Sequence, residues 1–269
     1  MATSGIVGVN QWKGGADHPT DDIIAGEVPV ALTYNRQSHV VMMATPADLE
    51  DFALGFSLTE GIISSPGELL SARVVPRDNG VELAMTVDPD VMDRLAVQRR
   101  NLTGRTGCGL CGAESLEQAY RIPAPLGQRL QVSHDALQRA IEALGSHQPL
   151  QAATGAVHGV AWCTAEGAIG AAREDVGRHN ALDKLIGHLR HTGQDLAEGF
   201  ILVSSRASYE MVYKTATAGV ELMAAVSAPT TLAVQMATHC GLTLVGFARP
   251  GRHNVYTHPG RVAEQGDGP

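Results

Sequence analysis

Two short apolar runs constrain this 269-residue chain more than any other feature. They are Ile201-Leu202-Val203 and Leu242-Thr243-Leu244-Val245. Each is too short for a helix and apolar at nearly every position, the pattern of a strand covered on both faces in a sheet sandwiched by helices. Helical patterns flank and separate them, roughly Arg178 to Leu189, Tyr209 to Leu222 and Pro229 to His239, with a further strand at Met223–Ser227. A hairpin, Ala156–Thr164 with Ala168–Arg173, comes first. The order β-β-α-β-α-β-α-β predicts a three-layer α/β sandwich with a mixed sheet. Such sheets take ligands beyond the carboxyl ends of their strands.

The first half reads as a smaller, strand-rich α+β unit. Val28–Tyr34 and His39–Met43 form strands around the turn Asn35-Arg36-Gln37-Ser38. Thr45 reads as a cap, Pro46 as a first-turn proline and Asp48 as an early acid; Leu49, Phe52, Ala53 and Phe56 follow at helical spacing until Gly61. Short strands around Arg73–Val75 and Val81–Val87 come next. Ser133 caps an amphipathic helix bearing Leu137, Ala140, Ile141 and Leu144. The glycine-rich, polar start predicts a loose tail over 1–20, an N-terminal domain over 21–127, the α/β domain over 128–260 and a tail over 261–269.

A formal net charge of −8 argues against nonspecific binding of nucleic acid or anionic membranes. No basic leader followed by an apolar segment opens the chain and no apolar run reaches membrane length, so a cytoplasmic protein is expected. Four cysteines in a chain this long do not make a disulfide framework.

Two of them stand in Gly107-Cys108-Gly109-Leu110-Cys111-Gly112, with glycine on every flank. The following segment, Ala113–Ala119, reads as a helix, so Cys111 lies near a helix start, where free N–H groups and the dipole favour the reactive thiolate; Arg105 pushes the same way. Redox or sulfur chemistry, half of a structural zinc site and a plain glycine turn all fit this segment. A zinc site needs four ligands, and the other cysteines, Cys163 and Cys240, are single residues in apolar surroundings that read as buried thiols. A metal-free protein is expected.

Polar residues gather at the ends of the expected strands. Ser204-Ser205-Arg206 opens a helix with hydroxyls and a guanidinium, an anion cradle. Phe247-Ala248-Arg249-Pro250-Gly251-Arg252 sets two arginines around a Pro-Gly turn, able to grip phosphates while Phe247 offers a face to a base. Glu174–Asn180 forms a further charged turn. Each alone reads as capping and surface charge. Together, at one sheet edge of an acidic chain, they point to a phosphate-rich or nucleotide-bearing ligand.

The run Glu174-Asp175-Val176-Gly177-Arg178-His179-Asn180-Ala181-Leu182-Asp183-Lys184, with Cys108–Gly112, Ser204–Arg206, Tyr209–Met211, Ser227–Thr230, Gly241–Arg249 and Val255–Thr257, resembles the formate dehydrogenase accessory sulfurtransferase family, FdhD-like. The likeness spans about Ile24 to Thr257. It implies a carrier that takes sulfur from a cysteine desulfurase as a persulfide and passes it to the molybdenum cofactor of formate dehydrogenase, Mo-bis(molybdopterin guanine dinucleotide). That cofactor is bound transiently, with GDP as its mimic and no tightly held cofactor. The resemblance also implies a cytidine-deaminase-like second half and a homodimer. It assigns the persulfide to Cys108 and an assisting role to Cys111, although the helix-start argument favours Cys111 for the lower pKa. Deaminase chemistry is not expected, because His158-Gly159-Val160 lacks the glutamate of H-x-E. A CxxC disulfide oxidoreductase and a non-enzymatic molybdenum-cofactor chaperone are the alternative readings. Thioredoxin-like enzymes, however, place C-x-x-C directly after a strand of a βαβ unit.

Overall fold

The chain opens with a hairpin, β1 (Ser4–Lys13) and β2 (Ala16–Ala25), where its composition predicts a loose tail. Gly14 and Gly15 make the two-residue turn with φ of 62° and 89°. Both central positions of such a turn need positive φ, which glycine takes without strain. The hairpin is exposed along almost its whole length. This is a computed structural model, and it describes residues 1–100 and 121–263.

The next strands are β3 (Val28–Tyr34), β4 (Gln37–Ala44), β5 (Leu69–Arg77) and β6 (Gly80–Val87), in the sheet order β4-β3-β6-β5. The β3–β4 turn is tighter than expected, with Asn35 and Arg36 both at positive φ. Asn35 is tied to the far end of β6, its side-chain oxygen accepting the Val87 N–H and its amide donating to Val87 O. Helix α1 (Leu49–Thr59) covers one face, and Phe52 and Phe56 pack on Val30, Leu32, Leu83 and Met85. Helix α2 (Pro89–Arg100) follows.

In the second half come β7 (Val132–Ser133), α3 (His134–Ala143), α4 (Pro149–Thr154), β8 (His158–Thr164), β9 (Ile169–Asp175), α5 (Arg178–His191), β10 (Gly199–Val203), α6 (Tyr209–Thr217), β11 (Leu222–Ala225), α7 (Thr231–Cys240), β12 (Thr243–Arg249), β13 (Arg252–Val255) and β14 (Val262–Ala263). Ser133 caps α3 as expected, accepting the Ala136 N–H. Six strands make one mixed sheet, β13-β12-β11-β10-β8-β9, in which β10, β11 and β12 run parallel. Helices α5, α6 and α7 fill one face with Leu182, Leu185, Ile186, Met211, Val212 and Met236. On the other face α3 packs Leu137, Ala140 and Ile141 against Phe200, Leu202 and Val245. The three layers and mixed sheet are those the strand pattern predicts.

Two further expectations fail in the second half. Helix α6 ends at Thr217, not near Leu222, because Gly219 turns the chain at φ 87°. The end of the chain is not loose from residue 261 onward. Arg261 is buried, its guanidinium bonded to Glu221, Gly241 O and Thr243, and β14 pairs in parallel with β7. Residues 264–269 lie outside the described ones.

The two halves meet where α1 lies against α5. A Cβ placed on Gly55 would stand 1.8 Å from Asp183 O, and one on Gly187 would stand 1.9 Å from Asp51 O, so the helix backbones touch. Around this contact the polar groups are paired. Lys184 Nζ donates to Asp175 Oδ2 at 2.6 Å and to Thr45 O at 2.9 Å, and the Thr45 N–H donates to Asp175 Oδ2 at 3.0 Å. Thr45 therefore cross-links the halves and does not cap α1, whose first turn follows Asp48 at φ 51°. One turn further along, Lys214 Nζ lies 2.9 Å from Asp183 Oδ2 and 2.8 Å from Glu60 Oε1, and Thr59 donates to Asp183. Burial opposes the charge on Lys214, but Asp183 and Glu60 outweigh it and hold its pKa above the ordinary value. Burial lifts the Asp183 carboxyl against the pull of Lys214. The lysine, flanked by two carboxylates, decides the balance in favour of an ionised pair.

Gly55→Ala tests the helix contact. In an open helix the methyl would stabilise by about 1 kcal/mol. Here it must push the backbones apart, with an expected loss of about 1–3 kcal/mol in denaturant unfolding; a gain would mean that the helices separate freely. Lys214→Met strands the Asp183 carboxylate and should cost about 3–5 kcal/mol by the same measurement.

Candidate functional site

Because β10, β11 and β12 are parallel, the loops leaving their carboxyl ends share one edge. Backbone hydrogen bonds lace them together. The Val226 N–H donates to Val203 O at 3.0 Å, Ala207 to Ala228 O at 3.3 Å, Thr230 to Ala207 O at 3.0 Å and Phe247 to Ser227 O at 3.1 Å. Ser204–Arg206 and Phe247–Arg252 thus lie on the same edge with Ser227–Pro229 between them. Strand spacing sets the bases of the two outer loops roughly 10 Å apart.

The serines are engaged within the fold. Ser204 Oγ accepts the Gly159 N–H and the Ser204 N–H donates to Gly159 O, fixing the loop to the start of β8. Ser205 is buried, its hydroxyl donating to Arg206 O, and Ser208 Oγ accepts from Met211 at the start of α6. That leaves the Arg206 guanidinium, which is exposed.

The β12–β13 turn is shaped by three backbone constraints. Gly246 passes so close to the Ser227–Pro229 loop that a Cβ would stand 2.8 Å from Pro229 Cδ and 2.9 Å from the Tyr256 ring. Phe247 sits at φ 50°, an unusual conformation for a bulky residue, where the β12–β13 register shifts. Gly251 takes φ 77° after Pro250, the positions that suit a type II turn. The turn sets Arg249 opposite Arg252, both exposed. Among the described residues, none of Arg206, Arg249 and Arg252 forms an ion pair with a carboxylate. Three uncompensated cations at the open edge of an acidic chain suit an anionic ligand.

From the helix side, Gln138 Oε1 accepts the Gly251 N–H at 2.8 Å. Gln138 Nε2 lies 2.8 Å from His253 Nδ1, and His253 Nε2 lies 2.7 Å from His134 Nδ1, the two ring planes 21° apart and their centroids 4.9 Å apart. Sequence reasoning missed these contacts, because each joins residues more than a hundred positions apart and, of the four members, only Gly251 belongs to a segment singled out above.

The distinctive run Glu174–Lys184 is chiefly structural. Asp175 is fully buried and accepts from Thr45, Gly177, Asn180 and Lys184. Glu174 accepts the Leu150 and Gln151 N–H groups at the start of α4. His179 Nε2 lies 2.8 Å from Glu210 Oε2, within ion-pair range though not aligned as a hydrogen bond. Beside it, His158 is held below the ordinary histidine pKa by burial first and then by the charges of Arg178 and His179.

Cys108 and Cys111 lie outside the described residues, as do Arg105 and the expected helix after them. Arg121, just past that stretch, is fixed by Tyr209, whose hydroxyl accepts its N–H at 2.7 Å and donates to its carbonyl at 2.9 Å. Cys163 and Cys240 are free and buried. Burial pushes the Cys163 thiol up to about 12 and raises Cys240 as well, so neither is a nucleophile at neutral pH. Iodoacetamide is therefore expected to leave both unmodified in the native protein and to label them after unfolding, as read by peptide mass spectrometry. Native labelling of Cys163 would contradict its burial.

The FdhD/NarQ family model matches residues 25–263. The chain is 50% identical over 263 residues to the sulfur carrier protein FdhD of Cupriavidus necator, covering 98% of this chain and 91% of that one. It is 50% identical over 254 residues to the sulfur carrier protein FdhD of Xanthomonas campestris pv. campestris, covering 94% and 90%. A crystal structure from Desulfotalea psychrophila, of a protein proposed to be a formate dehydrogenase accessory protein, superposes with a TM-score of 0.75 at 24% identity, covering 97% of this chain and all of that one. At that identity the likeness is one of fold.

Proposed function

The chain belongs to the FdhD/NarQ family, and from that premise we propose that it is a sulfur carrier serving formate dehydrogenase, with Cys108 as the carrying residue. The observation that carries this reading is the 50% identity, over nearly the whole length, to proteins named sulfur carriers. The Cys108 thiolate attacks the sulfane sulfur of a persulfide on a cysteine desulfurase. The new S–S bond leaves Cys108 as the persulfide, and the donor's S–S bond breaks to release its cysteine as a thiolate. Cys111, two residues on, assists the later release.

The acceptor is the molybdenum cofactor, taken here as substrate: Mo-bis(molybdopterin guanine dinucleotide), bound transiently on its way to the dehydrogenase. Its pyrophosphates suit Arg249 and Arg252, which form no ion pair among the described residues, with Arg206 on the same edge, and Phe247 offers a ring to the guanine. In this reading the six-stranded half is a cytidine-deaminase-like unit used for nucleotide binding, and the working form is a cytoplasmic homodimer.

Incubation with a cysteine desulfurase and free cysteine tests the first part. Intact-mass measurement should show one added sulfur atom in the native chain and in Cys111→Ala, and none in Cys108→Ala; the opposite pattern would transfer the role to Cys111. Calorimetry with GDP tests the second part. Arg249→Ala or Arg252→Ala should weaken binding by about ten- to a hundredfold while leaving sulfur loading intact. Unchanged affinity in both variants would place the nucleotide elsewhere.

A further inference from the structure

Behind the arginine turn, four residues from two places in the chain, α3 and the last hairpin, form one line of hydrogen bonds, and the donors fix its direction. The Gly251 N–H can only donate, so the atom of Gln138 facing it is the oxygen. The Gln138 NH2 group then faces His253 Nδ1, which must accept. The ring proton of His253 is thereby placed on Nε2, pointing at His134 Nδ1, which must accept in turn. One assignment satisfies every contact: both rings neutral, both protonated on Nε2.

We propose that Gln138, oriented by the neutral His134–His253 pair, is the positioning residue that holds the Arg249–Arg252 turn in its nucleotide-receiving conformation. The proposal rests on the reading of that turn as the nucleotide site. A proton added to His253 appears on Nδ1, against the Gln138 NH2 group. A proton added to His134 appears on its Nδ1, against the Nε2–H of His253. Turning the amide to accept the new proton would present NH2 to the Gly251 N–H and release the turn.

The surroundings favour the neutral form of His253. Burial first, and then the repulsion a protonated His134 would exert, hold His253 below the ordinary histidine pKa. On the turn, Arg249 and Arg252 are exposed. From α3, Asp135 is exposed and Arg139 is turned away to donate to Glu166 O. Among the described residues, histidine–carboxylate contacts are made by His179, His188 and His191 and not by this pair. Because the neutral form is the competent one, the positioned turn is present above the titration of His253 and lost as pH falls through it. A histidinium acting only as a charge would have the opposite effect, strengthening phosphate binding at low pH.

Calorimetry of the full-length protein with GDP, above and below about pH 6.5, the ordinary histidine range, separates these cases. In the native chain affinity should fall on acidification. In Gln138→Leu it should start up to about tenfold weaker, the worth of one neutral hydrogen bond, and the step due to the pair should vanish. In Gln138→Glu the carboxylate accepts from both Gly251 and a protonated His253, so protonation no longer releases the turn and the fall in affinity on acidification should be lost. Nitrogen NMR of the imidazoles without ligand should show Nδ1 bare in both rings of the native chain. Gln138→Leu binding GDP with native affinity and native pH profile, or native spectra with His253 protonated on Nδ1, would overturn the proposal. GDP affinity indifferent to both Arg249→Ala and Arg252→Ala, with the native tautomers intact, would instead overturn the nucleotide reading and with it the ligand role of Gln138.

Discussion

The direct backbone contact of α1 with α5 at Gly55 and Gly187 is the constraint on which the molecule depends. Side chains at either position would hold the helices apart, and the groups between them would face water. With the helices touching, Asp175, Lys184, Asp183 and Lys214 are all enclosed, and charges so enclosed are tolerable only when each meets its partner. The network around Thr45 and Thr59 supplies those partners from the first half of the chain to the second. Close packing and charge pairing are therefore one device: the glycines permit the approach, and the approach makes the pairing obligatory.

That device fixes the six-stranded sheet relative to the N-terminal unit and leaves the carboxyl edge of β10, β11 and β12 open. The loops there are rigid for local reasons. Ser204 is bonded twice to Gly159, Gly246 fits beneath Pro229, and Gln138 holds Gly251 from α3. Three guanidiniums with no carboxylate partner among the described residues stand on this framework. A rigid cationic edge loses little on receiving a polyanion, because the ordering is already done in the free protein. The reactive-sulfur reading rests on a separate segment, the glycine-flanked pair Cys108 and Cys111, which lies outside the described residues. In the proposed division of labour, one segment carries sulfur and a fixed edge holds the acceptor.

The sequence by itself determined the features that depend on neighbours along the chain. Unbroken apolar runs gave the buried strands, helical spacing between them gave the covering layers, and Ser133 marked the start of α3. The glycine and proline of the β12–β13 turn were legible for the same reason, since a turn is a local conformational demand. The N-terminal hairpin was not: its strands are almost wholly exposed, so no inside–outside alternation marks them, and polar composition read as a tail.

Tertiary structure decided what each polar residue is for. Glu174–Asn180 reads as a charged surface turn, yet Asp175 is buried and paired with the buried Lys184, because the segment at Thr45 arrives from more than a hundred residues away to meet them. Ser204 and Ser205 look like ligand hydroxyls until the fold supplies their partners. The line from His134 through His253 and Gln138 to Gly251 exists only once α3 is laid against the last hairpin. Periodicity and turn chemistry act between near neighbours and survive in a linear reading. Burial and charge pairing depend on which segments come together, and that is set by the folded chain as a whole.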